Sequence, residues 1–186
     1  MKRFEDTAIL VTGAGSGIGA ACVQRLFEEG ASIAAADVRK DEVDRLVSRL
    51  GNSDRIIRAE VDVSDREQVA AFVSDAVRRF GKLYGLVNSA GIRGVGNILD
   101  TDPELWRKVL SVNLEGTFNM CQAFARAAKE AQTPGAIVNL SSAAGLRGVP
   151  NRLPYAASKY GVVGLTQQWH WNWRRSAFAL MPSCRG

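Results

Sequence analysis

The stretch Thr12-Gly13-Ala14-Gly15-Ser16-Gly17-Ile18-Gly19 constrains this chain more than any other, because so glycine-dense a segment suits few structural settings. It follows the apolar run Thr7-Ala8-Ile9-Leu10-Val11, and from its end Ile18, Ala21, Cys22, Leu26 and Phe27 come at near-helical spacing, which reads as strand, turn, helix. Gly30 fits a helix stop, and Ala31-Ser32-Ile33-Ala34-Ala35-Ala36 fits a second strand ending at Asp37. In such a βαβ unit the glycines let a pyrophosphate approach the backbone, while the helix N-terminus offers free N–H groups and a positive dipole end. The expected contacts are Gly13, Ser16, Gly17, Ile18 and Gly19. Asp37, at the end of the second strand, is placed to accept hydrogen bonds from ribose hydroxyls and to repel a 2′-phosphate, so NAD is expected over NADP; Arg39 would soften that repulsion.

The alternation continues. A charged helix is expected from about Asp41 to Leu50, a strand over Ile56–Val61, a helix over Arg66–Phe80 opened by Ser64-Asp65, and a strand over Leu83–Asn88. Leu105, Val109 and Val112 mark a further helix, Phe118 to Ala128 a longer one, and Ala136–Leu140 a fifth strand. Strands apolar on both faces and alternating with helices predict an α/β doubly wound parallel sheet, a Rossmann fold.

Composition narrows the function. With 46% hydrophobic and 23% charged residues among 186, the chain suits one globular domain. No apolar run reaches bilayer length and the N-terminus lacks a signal-peptide apolar core, so a cytoplasmic protein without membrane contact is expected. Cys22, Cys121 and Cys184 are far apart, and His170 is the only histidine, which argues against thiol redox pairs, metal centres and Ser-His-Asp catalysis. Three of the 24 basic residues, Arg174, Arg175 and Arg185, lie in an acid-free tail, leaving 21 against 19 acids elsewhere. That mixture predicts no nucleic-acid partner.

Acid–base chemistry must then come from other groups. After the fifth strand stand Asn139-Leu140-Ser141-Ser142, then Tyr155-Ala156-Ala157-Ser158-Lys159 at the start of a helix. Tyr155 and Lys159, four apart, share a helix face, and a nearby ammonium favours phenolate over phenol. Together with the glycine turn, Asn88-Ser89-Ala90-Gly91 and Asn113, this order of motifs resembles the short-chain dehydrogenase/reductase family over about residues 5–168.

The resemblance implies an oxidoreductase that transfers hydride between a nicotinamide cofactor and a secondary alcohol or ketone. It implies that Ser142, rather than Ser141, polarises the substrate oxygen, that Tyr155 exchanges the proton, that Lys159 assists it and binds the nicotinamide ribose, and that Asn113 holds a relay water. It further places Asp62 and Val63 beside the adenine and Asn88, Ala90 and Gly91 along the cofactor groove, with Ser89 replacing the family's second Asn. A homo-oligomer is implied for the full-length form. The alternative is a catalytically inactive nucleotide-binding remnant.

Beyond Gln168 the sequence becomes Trp169-His170-Trp171-Asn172-Trp173-Arg174-Arg175 and the resemblance is expected to stop. Codons for Gln-Trp-His-Trp-Asn-Trp-Arg, read one base back, allow (Met or Val)-Ala-Leu-Glu-Leu-Ala, an amphipathic helical phrase suited to the family at that place. The expectation is a nucleotide-binding domain over 1–168, truncated and frameshifted after about residue 168, with 169–186 a non-family tail. The last strands and the substrate-covering region would be missing, leaving the sheet open beside strand five. A Trp- and Arg-rich segment suited to an interface is the competing reading, and it leaves the hidden frame as accident.

Overall fold

The computed structural model describes residues 2–51, 53–173 and 178–183, with side chains through Trp169. Six strands form a parallel sheet in the order β3-β2-β1-β4-β5-β6: β1 (Ala8–Thr12), β2 (Ser32–Asp37), β3 (Ile56–Glu60), β4 (Gly85–Asn88), β5 (Gly135–Leu140) and β6 (Phe178–Ser183). They alternate with α1 (Gly17–Glu28), α2 (Lys40–Arg49), α3 (Arg66–Phe80), α4 (Pro103–Leu110), α5 (Gly116–Glu130) and α6 (Leu153–Trp173).

The period-two alternation of a strand explains why β1 is apolar throughout. Ala8 and Leu10 pack with Phe72 and Val73 of α3 and Met120 and Phe124 of α5. Ile9 and Val11 enter the opposite core with Val23 of α1 and Val43, Leu46 and Val47 of α2. Each of these buried Val, Leu or Phe side chains is worth ~1.5–3 kcal/mol relative to exposure. At the N-terminus of α3, Asp65 accepts from the N–H groups of Glu67 and Gln68, matching the start expected from Ser64-Asp65.

Two segments depart from the sequence reading. The helices expected around Val109 and from Phe118 form one helical run, because a π-helical turn at Ser111–Glu115 joins α4 to α5 and shifts the apolar phase between them. The chain also keeps regular structure past Gln168. α6 extends to Trp173, with Trp169 packed against the α3/α5-side core, since nothing between Gln167 and Trp173 breaks a helix already nucleated. β6 then pairs in parallel with β5, from Gly135 opposite Phe178 to Leu140 opposite Ser183. Among the described residues the sheet therefore gains one strand over the expectation, and β6 rather than β5 forms its edge on that side. Of the tail, residues 174–177 and 184–186, including Arg174, Arg175, Cys184 and Arg185, lie outside the described residues.

Strand order reverses between β1 and β4, so the loops leaving their C-terminal ends diverge into a crevice. No helix among the described residues is long and apolar enough to cross a membrane.

Candidate active site

The crevice is a cleft of about 560 Å³ whose walls come from the β1, β2, β3, β4 and β5 ends and from α6. At one end, Gly13 and Gly17 take positive φ values of 64° and 53°, which glycine adopts without strain. A Cβ on Gly13 would lie 2.7 Å from the Ala90 nitrogen, and one on Gly19 would lie 2.1 Å from the Gly13 carbonyl oxygen. Gly19 thus packs the first turn of α1 beneath the glycine turn and does not face the cleft, whereas a Cβ on Gly17 would meet open space. Gly13, Ser16, Gly17 and Ile18 line the cleft as expected from the sequence.

Asp37 also lines it, at the tip of β2. Its Oδ2 accepts from the Gly15 N–H at 2.9 Å and its Oδ1 from the Arg39 N–H at 3.0 Å. The Arg39 guanidinium turns back to donate to Ser16 Oγ at 3.2 Å. Beyond β3, Asp62 and Val63 complete this wall. Asp62 Oδ1 accepts from both the N–H and the hydroxyl of Ser64, and the Val63 carbonyl accepts from Asn119 Nδ2 at 3.1 Å. Gly116 is required beneath it, because a Cβ there would sit 2.4 Å from Val63 Cγ2.

On the β4 side, Ala90 and Gly91 line the cleft, and so does Ser89. The side chain of Asn88 does not. Period two puts Asn88 on the same face as Leu86, toward α5, where its Nδ2 donates to Asn139 Oδ1 at 2.8 Å inside the protein. The residue that shapes this turn is Thr12, whose Oγ1 accepts from the Ser89 and Ala90 N–H groups, both at 3.2 Å. Sequence reasoning assigns Thr12 no role; the only signal for it is a hydroxyl residue closing an apolar strand before the glycine turn.

At the other end Tyr155 and Lys159 share the cleft wall. Lys159 is buried, its Nζ lies 5.7 Å from the centre of the Tyr155 ring, and it donates to the Leu140 carbonyl at 2.8 Å. Burial pushes its pKa down to about 8. The two serines divide their work. Ser141 lies on the cleft wall, yet its hydroxyl donates to the Lys159 carbonyl at 2.9 Å. Ser142, expected at the site, is not among the residues lining the cleft: its Oγ accepts from the Ala144 N–H at 3.2 Å, and among the described residues its own proton is uncommitted.

Asn113 is fully buried in the π-helical turn. Its Oδ1 accepts from the Ile92 N–H at 2.7 Å, while its Nδ2 donates to the Ile92 carbonyl and to Ser158 Oγ, each at 3.0 Å. Ser158 in turn donates to the Tyr155 carbonyl at 2.7 Å. Its side chain therefore clamps the loop after β4 to the helix bearing Tyr155. Ser158, hidden inside the Tyr155–Lys159 spacing, was not singled out from the sequence.

Known proteins share both sequence and architecture. The 3-oxoacyl-(acyl-carrier-protein) reductase FabG of Thermotoga maritima is 38% identical over 168 residues, covering 90% of this chain and 68% of that protein. Levodione reductase of Leifsonia aquatica is 38% identical, with 89% of this chain and 63% of the relative covered. The crystal structure of a short-chain dehydrogenase/reductase from Burkholderia phymatum in complex with NAD superposes with a TM-score of 0.93 at 31% identity, covering 99% of this chain and 66% of that one. This chain thus spans about two thirds of the length of such relatives. Residues 7–182, which include the glycine turn, Tyr155, Lys159 and all of β6 but its last residue, match the short chain dehydrogenase family, and the chain belongs to that family.

Proposed function

We propose that this cleft is an NAD-dependent oxidoreductase site acting on a secondary alcohol or ketone. The observation that carries the reading is one cleft with Gly13, Ser16, Gly17 and Asp37 at one end and Tyr155 and Lys159 at the other. The residues present fit a dinucleotide. Close approach is possible at Gly17, where a Cβ would meet nothing, and the α1 N-terminus supplies N–H donors for a pyrophosphate. Asp37 keeps acceptor capacity for ribose hydroxyls and opposes a 2′-phosphate, which favours NAD over NADP despite the nearby Arg39. Asp62 and Val63 would flank the adenine, and Ala90 and Gly91 the groove floor.

When bound, the nicotinamide ring supplies or accepts the hydride. In alcohol oxidation Tyr155 takes the hydroxyl proton as the carbinol carbon gives up its hydride; in ketone reduction Tyr155 returns the proton to the carbonyl oxygen. Ser142, with its hydroxyl proton uncommitted, polarises that oxygen. Lys159, its Nζ 5.7 Å from the centre of the Tyr155 ring, binds the ribose beside it. Asn113 holds the relay segment, its amide spent on Ile92 and Ser158, so any water it positions would use its main chain. Relatives named levodione reductase and trans-4-hydroxycyclohexanecarboxylate dehydrogenase support a carbonyl or alcohol substrate.

The test is Tyr155→Phe. On an alcohol that the parent chain oxidises, turnover should fall by at least a hundredfold with NAD affinity retained. A variant that keeps most of its turnover would overturn the assignment, and a parent chain that binds NAD yet oxidises none of a panel of secondary alcohols would favour the inactive remnant.

A further inference from the structure

Arg93 stands on the cleft wall with Tyr155, exposed, and among the described residues its guanidinium has neither a hydrogen bond nor an ion pair. Its backbone is held on both sides. Ile92 before it is gripped by Asn113 through both its N–H and its carbonyl. Gly94 after it is buried so tightly that a Cβ would lie 2.8 Å from Pro154 Cγ and 2.9 Å from Val109 Cγ2. Two residues on, Gly96 exchanges backbone hydrogen bonds with the segment leading into α6, donating to the Asn151 carbonyl and accepting from the Leu153 N–H. The Arg93 backbone is therefore fixed relative to Tyr155 through Pro154, its immediate neighbour.

The charged residues that line this end of the cleft, Arg93 and Lys159, have one sign, while the nearest acids in sequence, Asp100, Asp102 and Glu104, do not line it. No acid occurs between Asp75 and Asp100, and Glu130 is the last acid in the chain, so the β4 and β5 ends and all of α6 carry none. Arg147 and Arg152 lie on the segment approaching Tyr155, and Lys159 follows it. The acids that do line the cleft, Asp37 and Asp62, belong to its other end. A free guanidinium on a fixed backbone, at the end of the cleft that no acid lines, is suited to paired hydrogen bonds with a carboxylate, phosphonate or sulfonate.

We infer that the substrate carries an anionic group, which Arg93 binds while the reacting oxygen lies at Tyr155. This rests on the oxidoreductase reading of the same cleft and adds the substrate class to it. It is tested by binding, apart from turnover, with the chain saturated with NADH so that an added alcohol cannot react. The probes for calorimetric titration are three matched pairs: lactate and lactamide, 3-hydroxybutanoate and 3-hydroxybutanamide, and 2-hydroxypropylphosphonate and its dimethyl ester.

At least one anion should bind about tenfold or more tightly than its neutral partner, as a charge-assisted hydrogen bond requires. Arg93→Gln should remove that preference, Arg93→Lys should keep part of it, and NADH affinity should be unchanged in both. The best pair identifies whether a carboxylate or a phosphonate is preferred. If no anion outcompetes its partner, if Arg93→Gln keeps the preference, or if it weakens NADH instead, the inference is wrong. Tyr155→Phe separates the two readings: it should keep the anion preference, so full turnover in that variant would sink the catalytic assignment while leaving the Arg93 result to stand or fall by itself.

Discussion

Replacing Lys159 by Met should stabilise the nucleotide-free protein while removing a residue proposed to serve the site. An ammonium has three donors, and the described structure gives Lys159 a single hydrogen bond, to the Leu140 carbonyl at 2.8 Å. Burial lowers its pKa from 10.5 to about 8. At ~1.4 kcal/mol per pH unit, holding the charge in the fold costs ~3 kcal/mol below pH 8, against which the lost hydrogen bond returns ~1 kcal/mol. Lys159→Met should therefore be ~2 kcal/mol more stable at pH 7, measured by urea unfolding without nucleotide. The pH dependence gives an independent check. Between about 8 and 10.5 the unfolded lysine still holds a proton that the folded one has shed, so the parent's stability rises with pH through this window. The variant lacks that rise, and the gap between the two proteins should close or reverse by pH 10.5. A variant less stable at pH 7, or a gap unchanged with pH, would show that Lys159 is not held at a cost.

Thr12→Val keeps the shape but strips the acceptor from the Ser89 and Ala90 N–H groups, and urea unfolding should show a loss of ~2 kcal/mol with weakened NAD binding. Gly13→Ala meets both a φ of 64° and the Ala90 backbone at 2.7 Å, so it should cost ~2 kcal/mol or more by thermal unfolding. Glu29 is held down to about 2, chiefly by its hydrogen bonds from Arg3, with Arg25 adding to it. Its contribution to stability is present above the ordinary carboxylate range and lost as pH falls toward 2, so the difference between the parent and Glu29→Gln should shrink from pH 5 to pH 2 in acid titrations followed by circular dichroism. The proposed boundary near residue 168 is checked in the coding DNA, which should show a lost base near the Gln167–Gln168 codons and a second, family-like frame open downstream of them; coding DNA with no such second frame would refute it.

The backbone of the glycine turn was legible because its constraints are local. Positive φ at Gly13 and Gly17, and an acid at the tip of β2, follow from residue type and spacing within one βαβ unit. The choice of Ser142 over Ser141 rests on the family spacing; in the structure Ser141 lines the cleft with its hydroxyl donated to the Lys159 carbonyl, while Ser142, next in the chain, does not line it. What escaped depends on contacts distant in sequence. Asn88 looks like a groove residue until the strand's alternation turns it toward Asn139, 51 positions away. Thr12 meets Ser89 and Ala90 across 77 and 78 positions, and Asn113 reaches Ser158 across 45. The π-helical turn at Asn113 was invisible because period counting assumes an unbroken 3.6-residue repeat. The extra strand was missed for a related reason: family likeness was used to bound regular structure, whereas Phe178-Ala179-Leu180-Met181 is an apolar run able to pair with β5 in any case.

The most direct test of the central claim, that the glycine turn and Asp37 form the nucleotide end of this cleft, is the affinity of the chain for NAD and NADP measured by calorimetry at one ionic strength. The account predicts binding of one NAD per chain, tighter than NADP by about tenfold, with the preference lost in Asp37→Ala. Absence of NAD binding, or NADP binding as tight or tighter, would contradict it.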